Sequence, residues 1–183
     1  MSVERSLPGS RATGSFELLM LPHLGAAFTL ARYLLRDTAD AEDAVQEAYL
    51  QALRHFGGFR GENARAWLLT IVRRACYAWS DRENRHDYAG DPDLVDELPG
   101  YADDPEAAAV RGELQEQLAR AVDGLPLPFR EVVVLREIQE LSYQEIATVI
   151  GAPVGTVMSR LARARRRLQR LLAAQGMGGT HGL

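Results

Sequence analysis

The sequence predicts an all-α chain: two small helical domains, an N-terminal bundle and a C-terminal helix-turn-helix domain, joined by an acidic flexible linker. Three observations carry this. Valine and isoleucine recur at three- and four-residue spacing and hardly ever alternate, so strand signals are nearly absent. Capping and turn residues bound two long helical blocks, residues 15–86 and 113–174. Between them, residues 87–112 are rich in Asp, Pro and Gly and too polar to build a core. With 183 residues, 46% of them hydrophobic and 25% charged, the chain has the composition of a globular protein with room for both domains.

Composition also excludes function classes. One cysteine, Cys76, cannot build a disulfide scaffold, and it lacks the basic neighbours of a reactive thiol. His23, His55, His86 and His181 are too dispersed for a zinc cluster, and neither a phosphate loop nor a Ser/His/Asp set is present. No catalytic residue, metal or cofactor is therefore expected. No apolar stretch approaching the roughly 18 residues of a bilayer span is apparent, nor a signal pattern, so a cytoplasmic chain without membrane insertion is expected. The net charge of −4 conceals a dipolar distribution. Six arginines and no acid follow from Met158 onward, whereas Asp87 to Ala119 holds ten acids and the lone Arg111. All 21 basic residues are arginine. That suits phosphate and guanine edges, though a GC-rich genome gives the same bias.

In chain order, residues 1–14 are small, polar and punctuated by Pro and Gly, the composition of a frayed leader. The segment DTADAEDAVQEAYLQALRHF is amphipathic, with Asp40, Asp43 and Glu47 on one face and Gln46 alongside. Acids near a helix N-terminus favour the helix dipole; the same face would also dock a basic partner. After the loop FGGFRGENA comes RAWLLTIVRRACYAWSDRENR. Its apolar stripe is Leu68, Ile71, Val72, Ala75 and Trp79; its other side carries Thr70, Arg73, Arg74, Tyr77, Asp81 and Arg85. Arginines interleaved with an aromatic ring fit single-stranded nucleic acid, and they also fit an ordinary surface.

The second block holds the strongest signal. In LSYQEIATVIGAPVGTVMSRLARARRRLQRLL, Ser142 and Glu145 have capping-box spacing, Gly151 can take a positive φ, and Pro153 suits the start of the next helix. Two helices joined so tightly form a helix-turn-helix. Val157, Leu161, Ala164, Leu168 and Leu171 make an apolar stripe, with Ser159, Arg163, Arg166 and Arg170 opposite. Thr156, Met158, Ser159, Ala162 and Arg163 are candidates for touching bases; Arg160, Arg165, Arg166, Arg167 and Arg170 suit phosphates. A solvated cationic face would show the same arginine run, but not the turn, the proline and the stripe in register. Upstream, Leu125, Phe129, Val132, Val133 and Leu135 supply core, and Arg130 and Arg136 are ordinary surface arginines unless they reach phosphate. Residues 175–183 are a flexible tail.

DAEDAVQEAYLQAL, FRGENARAWLLTIVRRACYAWSDRENR and the helix-turn-helix block together resemble a bacterial RNA polymerase sigma factor of the sigma-70 family, extracytoplasmic-function (ECF) type. The resemblance implies that Asp40, Asp43, Gln46 and Glu47 grip the β′ clamp helices of core RNA polymerase, with the β subunit as a further contact. It implies that Phe59, Arg60, Asn63, Arg73, Arg74 and Tyr77 melt and hold the −10 element of promoter DNA. Thr156, Met158, Ser159, Arg160, Ala162, Arg163, Arg166 and Arg167 then serve the −35 element. Met158 departs from the basic residue common there in relatives, and Ala162 offers only methyl contact. An anti-sigma factor is an implied partner. The alternative is a stand-alone helix-turn-helix regulator with an N-terminal sensing or dimerisation domain.

Overall fold

The computed structural model describes residues 15–61, 63–83 and 113–177, with only the backbone of 82–83, 113–116 and 174–177. The expected leader, Arg85, the acidic linker and residues 178–183 lie outside the described residues. All regular structure among the described residues is helical. The chain forms two units, with the main division after Glu83.

The N-terminal unit opens with α1 (residues 15–20), a 3-10 turn at Leu21–His23 and α2 (Leu24–Leu35). Pro22 sits in the first turn of the 3-10 segment, where its missing N–H leaves no intrahelical bond unmade. Ser15–Leu35 is nevertheless a 21-residue run holding an 18-residue window of mean hydropathy 1.4, long and apolar enough by length and composition to cross a membrane. This corrects the expectation that no such stretch exists: the intervening polar residues are too few to lower the average. Phe16, Met20, Leu30 and Leu34 of this run are buried in the unit's own core, while Leu18, Leu19, Leu21 and Leu24 are exposed. A left-handed Arg36 (φ 65°) ends α2, held by its N–H on the Arg32 carbonyl and by the Arg32 guanidinium donating to its own carbonyl at 2.6 Å.

Helix α3 (Thr38–His55) starts where the Asp37 carboxylate accepts from the Asp40 N–H at 3.0 Å. Its inward face is almost all alanine: Ala41, Ala44, Ala48 and Ala52 are buried, with Val45. Such small side chains let the backbone of α3 come close to α2 and to α4 (Ala64–Glu83), and all three pack on one another. Leu68, Leu69, Val72, Ala75 and Cys76 of α4 complete the core. Cys76 is thus a core filler, as expected. The Tyr49 hydroxyl donates to the Met20 carbonyl at 2.8 Å, tying α3 to the end of α1.

After Glu83 the described helices are α5 (Glu113–Asp123), α6 (Leu127–Val133), α7 (Tyr143–Ile150) and α8 (Val154–Met177), with α5 and α6 packed on α8. Leu125, Phe129, Val132, Val133 and Leu135 are all buried, as the pattern predicts. Helix α6 runs into a single π turn, Val134–Ile138, closed by the Gln139 N–H on the Val134 carbonyl. Arg130 is only 2% exposed, so it cannot serve phosphate from the surface: its guanidinium donates to the Asp123 carbonyl at the end of α5, where the helix dipole favours a cation. Arg136 donates to the Leu141 carbonyl and lies 5.2 Å over the Tyr143 ring. The last helix continues to Met177, slightly into the segment expected as flexible tail, because Ala173, Ala174 and Gln175 favour helix.

Burial pushes the Tyr49 hydroxyl up to about 12 from its ordinary 10.0. The folded state thus favours neutral Tyr49, and this contribution holds below pH 10 and fades as pH rises toward 12. Tyr49→Phe should flatten the alkaline loss of stability across that window, measured as melting temperature against pH; an unchanged profile would show that another group governs it.

Candidate nucleic-acid interface

The connection between α7 and α8 sets the site. The Ser142 N–H donates to the Glu145 carboxylate at 2.7 Å and the Glu145 N–H to the Ser142 hydroxyl at 3.2 Å, a closed capping box. At the other end, the Ala152 N–H reaches the Ala147 carbonyl and the Gly151 N–H the Thr148 carbonyl, with Gly151 at φ 66°. This is the Schellman pattern that ends a helix in a left-handed residue. Pro153 directly precedes α8, and its carbonyl accepts from the Thr156 and Val157 N–H groups.

Along α8, Val157, Leu161 and Ala164 are buried against the unit, while Leu168 and Leu171 are half-buried as the stripe runs out. On the opposite face Met158, Ser159, Ala162, Arg163, Arg166 and Arg170 are exposed. Thr156, Arg160 and Arg167 lie at its half-buried margin. The Ser159 hydroxyl donates back to the Thr156 carbonyl at 3.0 Å, so its lone pairs face outward. Arg165 is bound elsewhere: its guanidinium donates to the Glu137 carboxylate at 2.8 Å, a bond that raises its pKa. That pair joins α8 to the π turn across 28 residues, a separation no local pattern reveals.

In the N-terminal unit the second cluster follows α3. Phe56 and Phe59 stack with centroids 5.9 Å apart, and Phe59 lies 5.1 Å from Trp67. Phe16 meets Phe56 edge-on at 5.3 Å, extending the aromatic row into the core. Arg60 is exposed beside this row, and Gly61 takes φ 83°, which favours glycine. Asn63 caps α4, its side-chain oxygen accepting from the Ala66 N–H at 2.9 Å. Farther along α4, the Arg73 guanidinium lies 4.4 Å over the Tyr77 ring, with Arg74 exposed next to it. Roughly 15 Å of helix separates the two groups, from nine or ten residues of 1.5 Å rise.

On α3, Asp43 and Gln46 are exposed and Asp40 and Glu47 half-buried. The Glu47 carboxylate accepts from the Gln51 amide at 3.0 Å and stands 3.9 Å from the Arg54 guanidinium. Beside this acidic face lies an apolar groove of about 640 Å³, lined by Phe16, Leu24, Phe28, Tyr49, Leu50 and Leu53 together with Glu42 and Gln46. Sequence reasoning did not find it, because its walls come from three segments whose leucines each read as ordinary core.

Both halves of the chain have counterparts among known proteins. Residues 19–86 match the family model for sigma-70 region 2, and residues 115–168 match that for sigma-70 region 4. The RNA polymerase sigma-H factor of Pseudomonas aeruginosa is 33% identical over an alignment covering 93% of this chain and 91% of that one. The chain belongs to the sigma-70 family of RNA polymerase sigma factors. Within that family it is of the ECF type: the ECF RNA polymerase sigma-E factor of Escherichia coli K12 is 32% identical, with 91% of this chain and 90% of the relative covered. Among solved structures, the sigma factor RpoE of Bartonella quintana, in complex with the anti-sigma factor NepR, superposes with a TM-score of 0.69 at 31% identity, over 87% of this chain and 97% of that one. CnrH in complex with the cytosolic domain of CnrY gives a TM-score of 0.62 at 26% identity, over 91% and 95%. As a sigma factor the chain directs transcription initiation. A region 2 match fills the unit that a stand-alone regulator would devote to sensing or dimerisation, so that alternative is not favoured.

The Glu137 carboxylate holds the Arg165 guanidinium, which the sequence pattern assigns to phosphate. Glu137→Gln should therefore steepen the slope of log affinity against log salt by about 0.9, the worth of one phosphate contact, in a salt titration with non-specific duplex DNA. An unchanged slope would mean that Arg165 does not reach phosphate.

Proposed function

We propose that this sigma factor uses three separate surfaces. Asp40, Asp43, Gln46 and Glu47 on α3 engage the β′ clamp helices of core RNA polymerase, whose β subunit is a further contact. Phe59, Arg60, Asn63, Arg73, Arg74 and Tyr77 engage the single strand of the −10 element. The exposed face of α8 engages the −35 element: Thr156, Met158, Ser159, Ala162 and Arg163 at base edges, Arg160, Arg166 and Arg167 toward the backbone. Domain roles follow. Residues 15–86 act as the polymerase and −10 module, 87–112 as an acidic tether, and 113–174 as the −35 module. The carrying observation is the open face of α8, which sets Ser159, Arg163, Arg166 and Arg170 opposite a buried seam of Val157, Leu161 and Ala164.

The chain acts by binding and is no enzyme. Opening the duplex costs a few kcal/mol per unstacked base, and aromatic stacking returns about 1–3 kcal/mol per captured base. The Phe56–Phe59–Trp67 row and the Arg73–Tyr77 pair supply such platforms. Asn63 contributes by fixing the start of α4, and so the position of Phe59 and Arg60. The complex of the Bartonella relative with its anti-sigma factor supports an anti-sigma partner for this chain as well. A factor that works on polymerase and promoter acts in the cytoplasm, outside the membrane.

Arg163→Ala should cost about 1–3 kcal/mol of affinity for an upstream promoter element and leave polymerase association intact, as measured by fluorescence anisotropy and co-purification with core polymerase. Unchanged promoter affinity would remove α8 from the assignment. The double reversal Asp43→Arg and Glu47→Arg should abolish polymerase association and promoter-dependent transcription, with the melting temperature serving as the check on folding. Retained association in a folded variant would refute the α3 docking face.

A further inference from the structure

The exposed face of α8 carries two parallel rows rather than one basic stripe. Residues four apart on a helix lie on the same side. Ser159 and Arg163 form one row, polar and then cationic. Met158 and Ala162 form the other, apolar throughout, with Met158 54% exposed. Gly155 begins that side of the helix, and a Cβ added to it would meet nothing within 4 Å. The first two turns of α8 therefore offer an uncharged, low-relief surface beside Arg163. Met158 is not a core residue displaced outward, because the buried seam of the same helix is already complete with Val157, Leu161 and Ala164.

Given α8 as the groove-facing helix, on which this inference rests, we propose that Met158 and Ala162 are specificity residues that read thymine through its C5-methyl group. In the major groove a thymine shows a methyl group and the O4 acceptor, whereas cytosine shows an amino donor and no methyl. An apolar side chain gains from covering the methyl group and loses from covering the amino group, which would forfeit its hydrogen bond to water. Met158 suits the contact because its thioether is flexible and polarizable and can adjust to the methyl position. Ala162 stands about 6 Å farther along the helix axis, from four residues of 1.5 Å rise. With a base spacing of about 3.4 Å per strand, a helix lying along the groove would set the two contacts near two base steps apart. Ser159 and Arg163 then face the neighbouring base edges, where Arg163 can pair with guanine.

The test uses the full-length chain assembled with core RNA polymerase and a duplex library randomised over the upstream promoter element. Recovered sequences should carry thymine at two positions about two base steps apart, next to a guanine. Each thymidine is then replaced singly by deoxyuridine, which removes only the methyl group. At one position the replacement should weaken binding about fourfold, the worth of one buried methyl group. In Met158→Ala that penalty should vanish while the second thymine keeps its own. The variant side chain is solvent-facing, and an unchanged melting temperature confirms folding. Three results would overturn the proposal: no thymine recovered, deoxyuridine tolerated at every thymine, or an undiminished penalty in Met158→Ala. Arg163→Ala in the same assay separates the levels. If it weakens binding while deoxyuridine is neutral, only the methyl reading fails. If it has no effect either, α8 is not the reading helix.

Discussion

The rotation of α8 about its own axis decides what this molecule can present to DNA, and two small hydrogen-bonded devices fix it. One is the capping box that starts α7; the other is the left-handed Gly151 that ends it. A residue with a Cβ at φ 66° would strain the turn, by about 1–2 kcal/mol. Because the turn delivers the chain to Pro153 in one register, Val157, Leu161 and Ala164 all fall on the core side. One residue more or fewer would rotate the helix by about 100°, turning arginines toward the core and valine toward water. The charge run on α8 has meaning only in that register.

The N-terminal unit reaches exposure of its functional side chains by a different route. Its helices approach through alanines on α3; Leu30, Leu68 and Leu69 fill the core, and the functional rings stay at its margin. Phe59 and Tyr77 are half-buried, one propped by Phe56 and Trp67, the other overlaid by Arg73. A ring held this way loses little conformational freedom when a base stacks on it, which makes such rings better platforms than freely rotating ones. Capping matters here too. Asp37 and Asn63 both act as helix caps, and so aim the helices and side chains that follow them.

Much of this was legible in the chain. The all-helical class, the capping box, the positive φ of Gly151, the buried seam of α8 and the identities of its exposed residues all follow from spacing, because they are local or periodic. What escaped was long-range. Glu137 and Arg165 are 28 residues apart and look like two ordinary surface charges until the π turn brings them together. Arg130 reads as a surface arginine, yet the end of α5 takes it into the core. The apolar groove escaped for the same reason. Leu50 and Leu53 on α3 have the periodicity of core residues, and only the placement of α1 and α2 shows that nothing in this unit covers them fully. The polar caps were missed in a different way: composition shows that Asn63 stands in a loop, but not which backbone N–H its oxygen accepts from.

Charge separation along the chain has a consequence for partner choice. A uniformly basic factor would bind any polyanion and would occupy DNA without polymerase. Here Asp43 and the other acids of α3 repel phosphate, while the arginines of α8 repel a basic protein surface. At physiological ionic strength the field of either face decays over about 8 Å, so each acts chiefly on what touches it. Opposite signs on separate faces therefore sort partners by local repulsion as much as by attraction, the more economical source of specificity where individual exposed ion pairs are worth under about 1 kcal/mol.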